Sequence, residues 1–198
     1  NKASSSRNLI LPDRPDQMDD KDYAGLVFRK FASRAFRRPA ASTELEGILG
    51  LYDTAISQGD DWEQAIRLPL KAMLISPNFL FRGEFQPSPN NPKIVHEVDE
   101  FALASRLSYF LWSSMPDKEL FDHAFNGTLR KNMRRQTRRM LRDPKAISLA
   151  SNFAGQWLQL RDLDLVTPDP KRFPQFDDNL RVSMRRETET MFHYMLSE

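Results

Sequence analysis

Apolar residues repeat at helical spacing along most of the chain. Tyr23, Val27 and Phe31 recur every four residues, and a second apolar stripe runs from Leu45 to Ile56. This spacing places the apolar side chains on one face of an α-helix. No stretch sustains the alternation of apolar and polar residues that is typical of a half-buried strand. The pattern therefore predicts an all-α fold, an irregular multi-helix bundle in two helical subdomains.

Short polar signals predict where the helices begin. A Ser, Thr or Asp followed three residues later by an acidic residue can bond the free amides of a first turn. Proline at the first helical position is a second start signal, and Pro69 predicts a kink in the helix around it. The predicted starts are Thr43 with Glu46, Asp60 with Glu63, Ser76 with Pro77, Ser114 with Asp117, and Asp143 with Pro144.

A segment rich in proline and asparagine, "QPSPNNPK" at 86–93, can sustain neither a helix nor a central strand. It predicts a boundary. We expect an extended arm or linker over 1–20, an N-terminal helical subdomain over 21–85, a linker over 86–97 and a second helical subdomain over 98–198. The last predicted helix, 177–198, has no C-terminal cap, so we expect the second subdomain to continue beyond the chain end.

The most apolar helix is predicted over 98–113, where apolar residues occur on nearly every side. Such a helix is expected to be central and largely buried. Arg106 lies within it. Because an unpaired buried guanidinium would be very costly, we expect Arg106 to pair with a carboxylate such as Asp117 or Glu119.

A helix predicted over 145–162 carries a narrow stripe of amides, hydroxyls and small residues beside an apolar surface. Two interpretations are open. In the first, Asn152 and Gln156 bond the backbone of the proline-containing loop that follows, because buried polar groups have structural partners. In the second, the same amides form a ligand site, with Trp157 as the platform and Arg161 as the partner of an anion or a sugar hydroxyl.

The helix predicted over 129–142 contains seven cations. One interpretation is a solvated face whose arginines pair with acidic neighbours. The other is a docking face for an acidic partner or a membrane surface, with Arg134, Arg135, Arg138 and Arg139 as its candidate residues.

Composition excludes several functional classes. The net charge is only +2, which does not suggest a nucleic-acid binder. The absence of cysteine excludes a thiolate metal site, a cysteine nucleophile and a C-x-x-C-H haem attachment within this chain. The three histidines share no metal-ligand spacing. The loop that holds Asp162, Asp164 and Asp169 lacks the glycine at the sixth position and the terminal glutamate of an EF-hand, so Asp162 and Asp164 are expected to cap turns instead. No catalytic residue, metal site or cofactor is therefore predicted in this chain.

No apolar run approaches the roughly 20 residues that cross a bilayer, so no transmembrane segment is predicted. The chain opens with "NKASSSRNLI", without an initiator methionine or the apolar region of a signal peptide. We therefore expect it to be a mature or excised piece of a protein.

Three long runs carry a resemblance to known proteins. They begin "FASRAFRRPAASTELEGILG" at 31, "DEFALASRLSYFLW" at 99 and "NFAGQWLQLRDLDLV" at 152. Together they resemble two adjacent domains of uncharacterised planctomycete-type proteins. The likeness covers most of residues 23–198.

The resemblance implies a setting rather than a reaction. Such proteins are large and exported, to the periplasm or cell surface, and typically carry a cytochrome-c-like haem module elsewhere in the chain. It implies haem c in the parent protein, and partners that are other domains of the same polypeptide or a redox protein. The expected function is that of a scaffold or interaction module. The alternative is an extracytoplasmic oxidoreductase in which this piece forms part of a pocket wall.

Overall fold

The computed structural model describes residues 10–84 and 86–197, and within these residues the chain is helical without strands. The predicted all-α fold, an irregular multi-helix bundle, is confirmed. The chain divides into two compact units, Asn1–Val98 and Asp99–Glu198. Among the described residues, no helix is both long and apolar enough to span a bilayer.

The first unit is built from five helices of the described residues. Its core holds Val27, Phe28, Tyr52 and Met73, all buried. Leu11 and Met18, which precede the first helix, pack against this core. The helices are α1 (Asp20–Ala35), α2 (Ser42–Ser57), α3 (Trp62–Ala65), α4 (Arg67–Ile75) and α5 (Pro77–Leu80).

Two predicted caps of the first unit are wrong by one or two positions. Helix α2 begins at Ser42, and Glu44 rather than Glu46 accepts the amide of Ala41 at 2.7 Å. In α3 the cap is Asp61, paired with Gln64, rather than Asp60 with Glu63. Neighbouring residues each satisfy the three-residue spacing of a capping box, so several helix starts fit the sequence. The packing of the apolar face selects one of them.

Other predicted boundaries of this unit are confirmed. Ser76 caps α5 and Pro77 is its first residue. Gly59 follows α2 with φ of 97°, a left-handed conformation that glycine adopts without a Cβ penalty. The helical segment around Pro69 is broken at Ile66, between α3 and α4. Proline has no amide to donate to the carbonyl four residues earlier, which explains the break.

Arg37 is an unusual feature of the first unit, because it is 7% exposed and has φ of 59°. Its guanidinium donates to the carbonyls of Asn78, Phe79 and Phe81 at 2.8–3.3 Å. The neighbouring Arg38 instead binds Glu44 through two hydrogen bonds of 2.7 and 2.8 Å. Arg37 therefore ties the end of α1 to the last turn of α5, where carbonyls lack helical partners.

The second unit packs α6 (Glu100–Trp112) against α7 (Lys118–Phe125) and α8 (Leu129–Leu141). Its core includes Leu111, Trp112, Leu120, Leu129 and Met140, each at most 3% exposed. The predicted cap at Ser114 is wrong, because Asp117 is the N-terminal cap of α7 and accepts the amide of Leu120.

The single helix predicted over 145–162 is wrong. A 3-10 turn, Pro144–Ala146, leads into α9 (Ile147–Leu149), a π-helical turn (Ala150–Ala154), α10 (Gly155–Trp157) and a second 3-10 turn, Leu160–Asp164. Between the last two, Gln159 has φ of 55°. Apolar periodicity does not distinguish a regular turn from a widened one, so the sequence pattern could not reveal the π-helical turn.

The last helix, α11 (Asp178–Ser197), agrees with the amphipathic helix predicted over 177–198. It packs against the π-helical turn and contacts α9 and α8. No residue of its described part is fully buried.

Candidate functional site

The second unit exposes a cluster of aromatic side chains, Phe110, Phe153, Trp157 and Phe192, which we call the aromatic surface. The ring centroid of Phe153 lies 6.2 Å from that of Phe110, 6.0 Å from that of Trp157 and 6.4 Å from that of Phe192. Trp157 is 66% exposed and Phe110 59%. Ring pairs at these distances attract one another, yet Phe110, Phe153 and Trp157 remain exposed, and only Phe192 is partly buried.

The backbone under the aromatic surface is irregular. Phe153 lies in the π-helical turn, and Trp157 ends α10 two residues before the left-handed Gln159. Ala150 and Ala154 are fully buried, which lets this segment lie close to its neighbours. π-Helical turns are rare and occur frequently at functional sites. The irregular backbone therefore supports this surface as the candidate site.

The polar side chains of the predicted stripe do not have the hydrogen-bond partners that the sequence predicted. Asn152 donates to the Ser113 hydroxyl at 2.8 Å and not to the proline-containing loop, so the predicted partner is wrong. Gln156 and Arg161 are exposed, and neither side chain hydrogen-bonds to another residue within the described part of the chain. A ligand role for these residues, with Trp157 as the platform, stays a prediction.

Two arginines of α11 hold the 3-10 turn Leu160–Asp164 and the start of the loop that follows it. Arg181 donates to the carbonyls of Leu163 and Val166, and Arg185 pairs with Asp164 at 2.6 Å. These contacts join residues 15 to 21 positions apart. Sequence reasoning missed them because nothing local indicates which loop a helix cation will reach.

Asp117 is the centre of an ion-pair network, but its partner is Arg139 rather than the predicted Arg106. Arg139 pairs with Asp117 at 2.6 Å and with Glu119 at 3.4 Å, and it also bonds buried Gln136 at 2.7 Å. Arg106 is exposed, so the premise of a buried guanidinium was wrong.

The pKa of Asp117 reflects this network. Burial alone would raise it, but the hydrogen bonds from Arg139 and from the Leu120 amide outweigh burial and hold the pKa below its ordinary value. The charge is satisfied by the cap and the ion pair together. A structural role explains the arrangement.

The four arginines predicted as a docking face do not all face solvent. Arg134, Arg135 and Arg138 are exposed on α8, whereas Arg139 is directed to Asp117 and stacks its guanidinium 5.5 Å from the Trp112 ring centroid. Arg139 is therefore part of the unit's own packing, and the exposed face comprises the other three with their neighbours.

No group of three or more histidine, aspartate or glutamate residues that could hold a metal ion occurs in the described ranges 10–84 and 86–197. Asp169 caps a turn by accepting the amide of Lys171 at 2.9 Å. His123 bonds the Thr128 hydroxyl at 2.8 Å. Asp169 and His123 thus have structural partners, whereas Nε2 of His96 and Nδ1 of His193 are buried without a hydrogen-bond partner among the described residues.

Two family models match the chain in tandem. Residues 98–198 match PSD4, a protein of unknown function (DUF1592), and residues 23–84 match PSD5, a protein of unknown function (DUF1595). No curated protein and no solved structure matches the chain.

Proposed function

Because the chain belongs to the PSD4 family, we propose that it serves as a helical scaffold or interaction module within a larger exported protein, one that can also contain haem. The observation that carries the proposal is the aromatic surface. Its expected occupant is a protein: another domain of the same polypeptide, or a redox partner.

The exposed area of the aromatic surface favours binding over packing. Fully burying a large apolar side chain is worth about 1.5–3 kcal/mol, yet Trp157 and Phe110 remain more than half exposed. Tryptophan and phenylalanine are enriched in protein interfaces, and tryptophan is enriched in their energetic hot spots. A partner that covered these rings would recover the hydrophobic free energy that the unit alone forgoes.

The polar neighbours of the rings fit the same role. Asn152 and Gln156 are exposed beside the rings, and a rim of amides around an apolar centre is the usual anatomy of an interface. Two adjacent family domains in one chain also suit a protein assembled from modules.

The test is photo-crosslinking in the protein's source. A photoreactive phenylalanine analogue replaces Trp157, and in a matched variant it replaces Lys118, whose side chain is 88% exposed on α7 of the same unit. We expect protein crosslinks from position 157 that position 118 does not give. Equal or absent crosslinking at the two positions would argue against an interaction surface.

The visible spectrum of the purified parent protein separates the scaffold from its alternative. A Soret band together with crosslinks from position 157 to the haem-carrying part would favour a pocket wall beside a cytochrome-c-like module. Crosslinks to a protein without haem would favour the scaffold.

A further inference from the structure

Helix α8 and its C-terminal cap, Arg142, present five cations on one face, which we call the cation stripe: Lys131, Arg134, Arg135, Arg138 and Arg142. All five are exposed. At about 100° per residue they fall within an arc of about 100°, and at about 1.5 Å per residue they span about 16 Å. Their spacing therefore gives a straight row of positive charge.

The cations that flank the stripe are used inside the unit, whereas the stripe itself is not. Arg139 pairs with Asp117, and Arg130 lies 4.0 Å from Glu100. Within residues 10–84 and 86–197, no side chain of the cation stripe forms an ion pair or a hydrogen bond. The predicted pairing of these arginines with acidic neighbours is thus wrong for the stripe.

The arrangement is unfavourable for the isolated helix. Like charges three and four residues apart repel one another, and Lys131 lies in the first turn, where the helix dipole disfavours a cation. The Glu100 carboxylate of α6 accepts the amides of Leu129 and Arg130 and so already places a negative charge at this end of α8. An anionic partner would relieve the repulsion within the stripe.

The partner's chemistry follows from the side chains and from what lies beside them. Four of the five cations are arginines, whose planar guanidinium binds carboxylate or phosphate through two parallel hydrogen bonds. Beside the C-terminal end of the stripe lies a cleft of about 480 Å³, lined by Arg138, Leu141, Arg142, Leu196 and Ser197. Its two leucines can contact an apolar group that lies between anionic ones.

The cation stripe and the cleft together favour an acidic protein segment over a membrane or a nucleic acid as the partner. The opposite face of α8 is buried through Leu129, Gln136 and Met140, so the helix has no apolar face to insert into a bilayer. The stripe has no aromatic side chain on which nucleobases could stack. A row of carboxylates with an apolar side chain between them fits both the cations and the cleft.

We propose that the cation stripe and the adjoining cleft bind an acidic protein segment, which inserts an apolar side chain between Leu141 and Leu196. The inference rests on the proposed interaction function, because it names the chemistry of one partner. It uses a different surface from the aromatic rings, so its failure would leave the crosslinking result at Trp157 untouched.

The test measures fluorescence anisotropy of a labelled peptide of repeating Glu-Glu-Leu units with the whole chain. We expect binding that weakens about tenfold or more from low to about 0.5 M salt, because screening shortens the reach of the charges. Charge reversal in Arg134→Glu with Arg138→Glu is expected to weaken binding at least about tenfold. The matched control, Lys171→Glu with Arg172→Glu, changes the net charge equally and is expected to bind as the unaltered chain does.

Leu196→Gln tests the cleft, with a Glu-Glu-Ser peptide as the internal reference. We expect this substitution to weaken the leucine-containing peptide several-fold more than the serine-containing one. Circular dichroism confirms that each variant keeps its helices. Equal losses in the two charge-reversal variants would overturn the proposal, as would binding to phosphatidylglycerol vesicles or single-stranded DNA without binding to the peptide.

Discussion

Replacing Arg37 by alanine tests whether a single buried side chain holds the end of α5. The guanidinium donates to three carbonyls, those of Asn78, Phe79 and Phe81. Alanine removes all the donors and leaves the carbonyls of a helix end without these partners. The last turn of α5 should then detach from α1.

The magnitude follows from the contacts. A hydrogen bond that involves a charged group contributes about 1.5–3 kcal/mol, and two of the contacts share one carbonyl, that of Phe79. Counting three carbonyl partners at the lower limit, Arg37→Ala should lower the free energy of unfolding by about 4.5 kcal/mol. Arg37→Gly should cost about 1 kcal/mol less, because glycine adopts the left-handed backbone without strain.

Hydrogen exchange read by mass spectrometry measures this locally. Peptides that cover 70–84 report the opening of α5, and peptides that cover 118–141 provide a reference in the second unit. The matched control is Arg34→Ala, which removes an exposed arginine from the last turn of α1 and should lower the free energy of unfolding by less than about 0.5 kcal/mol. If Arg37→Ala changed exchange no more than Arg34→Ala, the reasoning would be refuted.

Three further changes test the rest of the structure. Asp117→Asn should lower the free energy of unfolding, measured with urea, by about 2 kcal/mol, because it breaks the ion pair with Arg139. A decrease as small as that expected for an exposed residue would show that the ion pair does not stabilise the unit. Arg38 holds the pKa of Glu44 below its ordinary value of 4.5, so this stabilisation is complete above pH 4.5 and is lost as pH falls through the folded-state pKa. The free energy of unfolding of Glu44→Gln should therefore differ most from that of the unaltered chain at neutral pH, and the two values should converge in acid. A difference that did not change with pH would contradict this reasoning. Gln156→Ala should leave the melting temperature unchanged, because the side chain is exposed without a described partner; clear destabilisation would restore the packing interpretation.

Local signals in the sequence determined most of the helices and some of their ends. Ser76 with Pro77 and Asp143 with Pro144 act on backbone amides within three residues of themselves. Gly127 supplies a positive φ at the turn before α8. Such effects need no distant partner, so they can be read from a short window. The all-α class follows from the same periodicity.

The same short windows did not determine the caps where neighbouring residues compete. Two glutamates near the start of α2, Glu44 and Glu46, have capping-box spacing from a possible cap, and the observed one is Glu44, which Arg38 and Asn78 also bind. Asn78 lies 34 residues away in sequence. A local rule therefore proposed a cap in this region, and a long-range contact decided its register.

Only the tertiary structure decided which charged side chains are used internally and which face solvent. Arg37, Arg139 and Arg134 look alike in sequence, yet the first caps a distant helix, the second pairs with a carboxylate 22 residues away, and the third is exposed. The aromatic surface likewise depends on the π-helical turn, which periodicity does not reveal. The physical reason is that a long side chain bonds to groups that are close in space but distant in sequence, and the packing of the helices determines which groups are within reach.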